Sequence, residues 1–159
     1  MGLLWERNQI SVATEHIATA ITEGLLNLAL PRVLEAPRIG RTVVVAGVAP
    51  ELHQVGAKMV ADSFEMQGWD SRYVGANTPT DELVRLVREQ PSDLIALSLT
   101  MEFNIGALAA LVEGAREARP GVEIVVGGQG LRRTGQTFSE RHGVQHVSTL
   151  ADLDGFLGE

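Results

Sequence analysis

From residue 42 onward, short apolar runs alternate with longer segments of helical period, and no other feature limits the fold so tightly. The run 42–48 carries Val43, Val44 and Val45 in succession, as a parallel strand buried on both faces would. A helix is predicted from about 52 to 67, with Val55, Met59, Val60 and Phe64 on one face and Gly68 as its stop. A second strand covers 71–74. Thr78-Pro79-Thr80-Asp81 then reads as a helix start: a hydroxyl cap, proline in the first turn, and an acid three residues after the cap. Its helix carries Leu83, Leu86 and Val87 and stops at Pro91. The third strand is 93–99, and a helix over 105–118 ends at Pro120-Gly121. The fourth strand, 123–126, closes on Gly127-Gly128. A helix near 131–141, a short strand at 145–148 and a helix over 150–157 complete the series. Five strands alternating with five helices through short crossovers imply an α/β fold, a five-stranded parallel doubly wound sheet.

Residues 1–40 follow a different pattern. Helical period runs over 10–34, with Ile17, Ile21, Leu25 and Leu28 along one face, and a shorter helix is expected around 3–8. Pro31, Pro37 and Gly40 break the pattern, so the chain divides into a helical cap, 1–40, and an α/β domain, 41–159. Two helices cannot bury an apolar face by themselves. That face must pack on the α/β domain, on a ligand, or on another chain.

Charge and composition exclude several classes of partner. The formal net charge is −7, the only lysine is Lys58, and no basic cluster relieves the acidity, so neither nucleic acid nor an anionic membrane is expected to bind. No apolar run approaches the ~18 residues of a membrane span, and no signal-like apolar core follows the N-terminus. Cysteine is absent, which removes disulfides and thiolate metal sites. A cytoplasmic protein is expected.

Ligands of open α/β sheets sit beyond the carboxyl ends of the strands. The segment Glu51-Leu52-His53-Gln54-Val55-Gly56 places His53 just past the first strand. Imidazole is a good ligand for cobalt, iron, zinc or copper. Glu51 can accept a hydrogen bond from the other ring nitrogen, and Gly56 leaves room for a bulky flat group. Past the third strand, Ser98 and Thr100 offer hydroxyls; past the fourth, Gly127 and Gly128 let an extended ligand approach the backbone. Each feature alone also fits an ordinary surface histidine, strand terminus or packing glycine. A phosphate-receiving regulator would need clustered acids where Ala49-Pro50 stands. A flavin site would need a hydroxyl- and glycine-rich loop there, and neither GxxxxGK[ST] nor GxGxxG occurs.

Taken in order, E-x-H-x-x-G at 51–56, S-L-T at 98–100 and G-G at 127–128 resemble the cobalamin-binding domain family. The resemblance covers 42–159 and implies a flavodoxin-like or Rossmann-like sheet that binds a cobalt corrinoid base-off and His-on. By it, His53 takes the axial position left by the vitamin's own base, while Ser98, Thr100, Gly127 and Gly128 line the tunnel for the nucleotide tail. Glu51 stands where many cobalamin enzymes have aspartate.

Trp5 and the pair Glu15-His16 extend the likeness. W-x9-E-H followed by E-x-H-x-x-G resembles the CarH-like light-responsive cobalamin proteins. That resemblance implies that Trp5 covers the upper face of the cofactor and that Glu15 and His16 meet its upper ligand, adenosylcobalamin being favoured over methylcobalamin. Two departures stand out: residues 1–40 cannot supply a helix-turn-helix, and Glu6 replaces a histidine that some relatives place after the tryptophan. The expected function is a cobalamin-binding sensor or signalling module rather than an enzyme, responsive to light through photolysis of the alkyl–cobalt bond. It would be read out by a second copy of the chain or by a separate regulatory protein. The alternative is a corrinoid carrier or cobalamin subunit serving a methyltransferase or mutase.

Overall fold

The computed structural model describes residues 4, 7, 9–34 and 36–158, which fall into two compact units, Met1–Glu35 and Ala36–Glu159. The first unit contains α1 (Val12–Val33), started by Ser11, whose hydroxyl accepts from the Thr14 N–H at 3.1 Å. Glu15 lies in the first turn and Arg32 in the last, where each opposes the helix dipole. Pro31 does not break this helix; it sits in the final turn, where it removes one donor near an end that already lacks partners. No residue of α1 is buried, and Ile17, Ile21, Leu25 and Leu28 are all exposed. The shorter helix expected around 3–8 falls mostly outside the described residues.

The second unit runs β1 (Thr42–Gly47), α2 (Val55–Met66), β2 (Asp70–Gly75), α3 (Thr80–Glu89), β3 (Leu94–Ser98), α4 (Ile105–Ala118), β4 (Glu123–Gly127), α5 (Gly135–His142), β5 (Gln145–Val147) and α6 (Leu150–Leu157). Every pairing is parallel and the strand order is β2-β1-β3-β4-β5, the doubly wound sheet expected from the alternation. Alternate residues of the central strands serve opposite faces. Val44, Ala46, Ile95 and Leu97 pack with Leu83, Leu108 and Phe138 from α3, α4 and α5. Val43, Val45, Leu94 and Ala96 pack with Phe64 of α2 and Leu153 of α6. Chain order reverses direction between β1 and β3, which opens a crevice at their carboxyl ends.

Three helix starts in this unit differ from expectation, each for a physical reason. The helix predicted from 52 begins at Val55, because Gln54 is its cap; the Gln54 carbonyl accepts both the Lys58 N–H and the Tyr73 hydroxyl at 2.9 Å. Thr78 does not cap α3. Pro79 does, with φ −52° and ψ 140°, and a residue preceding proline is itself steered to extended backbone. The helix predicted over 131–141 is a 3-10 turn, Gln129–Leu131, followed by α5. Gly130 in that turn lies so close to Leu99 and Thr100 that a Cβ would come within 3.0 Å of both.

Candidate functional site at the carboxyl edge of the sheet

The loops after β1, β3 and β4 leave the sheet side by side. Pairing continues past the strands: the Val48 N–H reaches the Ser98 carbonyl at 3.0 Å, and the Leu99 N–H reaches the Gly127 carbonyl at 2.9 Å. The turn after β1 contains a cis Ala49–Pro50 bond and closes with the Glu51 N–H on the Val48 carbonyl at 3.0 Å.

Glu51 is 4% exposed, and both oxygens of its carboxylate are engaged. Oε2 accepts the Thr100 N–H at 2.8 Å; Oε1 accepts the Met101 N–H at 2.9 Å and the Asn104 side-chain amide at 3.1 Å. A buried carboxylate persists only when donors satisfy it, and here backbone donors from a distant loop do so. The hydrogen bond expected from His53 to Glu51 is therefore not formed. Glu51 fastens the loop after β3 to the loop after β1.

His53 is exposed on the loop after β1, and among the described residues its side chain has no hydrogen-bond or ion-pair partner. Its imidazole is free to meet a ligand. No three His, Asp or Glu side chains among the described residues converge as a metal cluster. One imidazole is too little for a bare ion, but it suffices for a metal that arrives inside its own macrocycle.

Gly56 opens α2 one turn further on. A Cβ built there meets nothing within 4 Å, so no protein atom fills the space its missing side chain leaves. Beside it lies a pocket of about 260 Å³ between the sheet, α2 and α6, with Gly56, Met59, Ser98, Gly127, Gly128 and Thr149 in its wall. Ser98, Gly127 and Gly128 thus share one pocket wall. The two glycines also have a purely structural duty. Gly128 adopts φ +103° and a Cβ there would lie 2.3 Å from the Leu99 carbonyl oxygen; at Gly127 it would lie 2.9 Å from that of Val147. Thr100 departs from expectation: it is absent from the pocket wall, and its backbone N–H is held by Glu51.

The remaining predicted residues belong to the other unit. Glu15 and His16 are neighbours on α1, with His16 Nδ1 4.0 Å from Glu15 Oε2 and the other Glu15 oxygen accepting the Thr19 hydroxyl at 2.7 Å. Trp5 lies outside the described residues. Sequence reasoning missed Asn104, the third donor to Glu51, and it missed Met59 and Thr149 in the pocket wall. Met59 was recoverable, since it stands three residues after Gly56 and shares its helix face. Asn104 and Thr149 carry no such signal.

The B12 binding domain model matches residues 41–149. The HTH-type transcriptional repressor CarA of Myxococcus xanthus is 27% identical over 124 residues, which is 78% of this chain and 43% of the repressor. Dimethylamine corrinoid protein 1 of Methanosarcina acetivorans is 26% identical over 135 residues, 80% of this chain and 62% of that protein. The chain therefore spans between 43% and 62% of the length of these curated relatives. Among solved structures, the monomethylamine corrinoid protein of Methanosarcina barkeri superposes with a TM-score of 0.77 at 14% identity, covering 95% of this chain and 72% of that one. At such identity the likeness is one of fold.

Proposed function

The chain belongs to the B12-binding domain family, and on that premise we propose that His53 is the lower axial ligand of a bound cobalamin whose nucleotide tail enters the pocket beside Gly56. One observation carries this reading. At a single sheet edge the chain combines an unpartnered imidazole, a glycine facing unfilled space, and a pocket opening next to it. The residues fit such a group: the imidazole supplies one donor, and the missing side chain at Gly56 leaves room for a flat macrocycle.

A bound alkylcobalamin supplies a cobalt–carbon bond that either light or a nucleophile can break. The protein's own part is to hold and to report. Glu51 keeps the loop after β3 in place, so that Ser98 and the glycines of β4 present a fixed wall to the tail. Tyr73 fixes the start of α2 through the Gln54 carbonyl, which sets where the His53 loop ends.

The signalling reading goes further. Trp5, Glu15 and His16 would be the residues that sense the upper ligand, and α1 would be the element whose exposed apolar face changes partner when that ligand is lost. A second copy of the chain or a separate regulatory protein would read the change, as in any two-state switch biased by a ligand. The CarA repressor among the relatives supports this reading. The dimethylamine corrinoid proteins support the second one, a corrinoid carrier for a methyltransferase. Absorption spectra of the protein with adenosylcobalamin and with methylcobalamin, before and after green light, separate the two. The sensor reading predicts a His-on spectrum that changes on illumination together with the hydrodynamic size, and that is altered in His53→Ala. An unchanged size after complete photolysis contradicts the sensor and leaves the carrier.

A further inference from the structure

We infer that the pocket beside Gly56 discriminates among corrinoids by the base at the end of the nucleotide tail, favouring an apolar benzimidazole-type base over a purine. This rests on the reading that the tail enters that pocket.

The volume sets the first limit. About 260 Å³ is near the lower end of ordinary ligand pockets, ~300–1,000 Å³, so the space takes one small rigid group and not a whole corrinoid. The lining sets the second. The strands contribute Val45, Ala96 and Val125, and the helices contribute Met59, Val60 and Leu153. Among the described residues, no charged or amide side chain faces the pocket. The polar side chains in its wall are Ser98, Ser148 and Thr149, which stand at the ends of β3 and β5, that is, at the carboxyl edge of the sheet and away from the strand interiors.

The β5 corner is also engaged with itself. The Thr149 hydroxyl accepts the Asp152 N–H at 3.1 Å, and the Asp152 carboxylate accepts the N–H groups of Ser148 and Thr149 at 3.1 and 2.9 Å. Helix capping therefore takes up polar groups that could otherwise have met a ligand.

A purine brings an exocyclic amine and several ring nitrogens, all of which lose water on entering. Side chains such as Val45, Ala96, Val125, Met59 and Leu153 return no hydrogen bond. A dimethylated benzimidazole brings methyl groups to the same surface, which gains from their burial. An apolar pocket rejects a polar near-isostere only modestly, by up to about a hundredfold. The expected preference is therefore about tenfold to a hundredfold in dissociation constant.

The test is equilibrium binding of the apoprotein to three corrinoids: cobalamin, the cobamide with an adenine tail, and tail-less cobinamide, each followed by absorbance and calorimetry. Cobalamin should bind at least tenfold more tightly than the adenine-tailed form. In Met59→Gln, which keeps side-chain length and adds an amide at a half-exposed pocket position, the ratio should narrow. Equal affinities for the two tailed corrinoids, both tighter than cobinamide, overturn the selectivity while leaving tail binding intact. Cobinamide binding as tightly as cobalamin overturns tail entry itself, and failure of all three overturns the cobalamin reading. Should Met59→Gln fail to fold, the ratio in the unaltered protein decides alone.

Discussion

The loop after β1 and the loops after β3 and β4 face the same edge of the sheet, yet they use their residues differently. After β3 and β4, nearly every singled-out residue answers to another part of the protein. Gly128 and Gly130 let the 3-10 turn lie against Leu99, and Thr100 and Met101 give their N–H groups to Glu51. After β1, His53 has no partner and Gly56 faces open space. A residue that the fold needs can be explained without a ligand. The fold makes no visible use of the His53 side chain or of the space at Gly56, so the case for cobalamin draws mainly on them. Gly127 and Gly128 add less, although they match the family pattern just as well.

Substitutions sharpen this contrast. The largest effect is expected at Gly128→Ala, which places a Cβ 2.3 Å from the Leu99 carbonyl at φ +103°. Backbone strain and the clash together should cost about 3 kcal/mol or more, read as a lowered denaturant midpoint of the apoprotein. Glu51→Ala comes next. It leaves two backbone N–H groups and the Asn104 amide without their acceptor, for a loss of about 2–3 kcal/mol, with faster amide exchange at Thr100 and Met101.

Gly56→Ala should move the other way. Alanine in the first turn of α2 meets no atom, so the apoprotein should gain about 0.5–1 kcal/mol. Corrinoid affinity should nevertheless fall at least tenfold, because the methyl group enters space reserved for the ligand. If Gly56→Ala destabilised the protein as Gly128→Ala does, the two glycines would share one purpose and the contrast would fail. The smallest effect on folding is expected at His53→Ala, within about 0.5 kcal/mol by thermal melting, as for an exposed side chain without partners.

The sequence carried the architecture well because burial on both faces writes itself locally. Val43–Val45 and the run around Ile95 are continuously apolar, the first of them β-branched throughout, and both are too short to compete as helices. Helix ends were less legible. At Thr78-Pro79 two capping rules point to adjacent residues, and the backbone preference imposed by proline decides between them. Residues 132–134 interrupt the fourth crossover for a tertiary reason, the seating of Gly130 on Leu99, which no local pattern records.

At the site, the positions of His53, Gly56, Ser98, Gly127 and Gly128 at one edge followed from counting strands. The role of Glu51 did not. Its partners lie between 49 and 53 residues away, and two of the three are backbone N–H groups, which every residue but proline offers. A carboxylate two residues before a histidine invited a bond between neighbours, whereas burial drew it toward the opposite loop. Of the pocket's apolar wall only Met59 was recoverable, through its spacing from Gly56, since Leu153 looks like an ordinary core residue in a helical pattern.

One measurement bears most directly on His53 as the axial ligand: the electron paramagnetic resonance spectrum of the protein carrying cob(II)alamin, prepared from cells grown on heavy nitrogen while the corrinoid keeps natural nitrogen. If the His53 imidazole has replaced the vitamin's base, each cobalt line splits into a doublet, and the doublet disappears in His53→Ala. A triplet in the labelled protein, showing the corrinoid's own base still on cobalt, would contradict it.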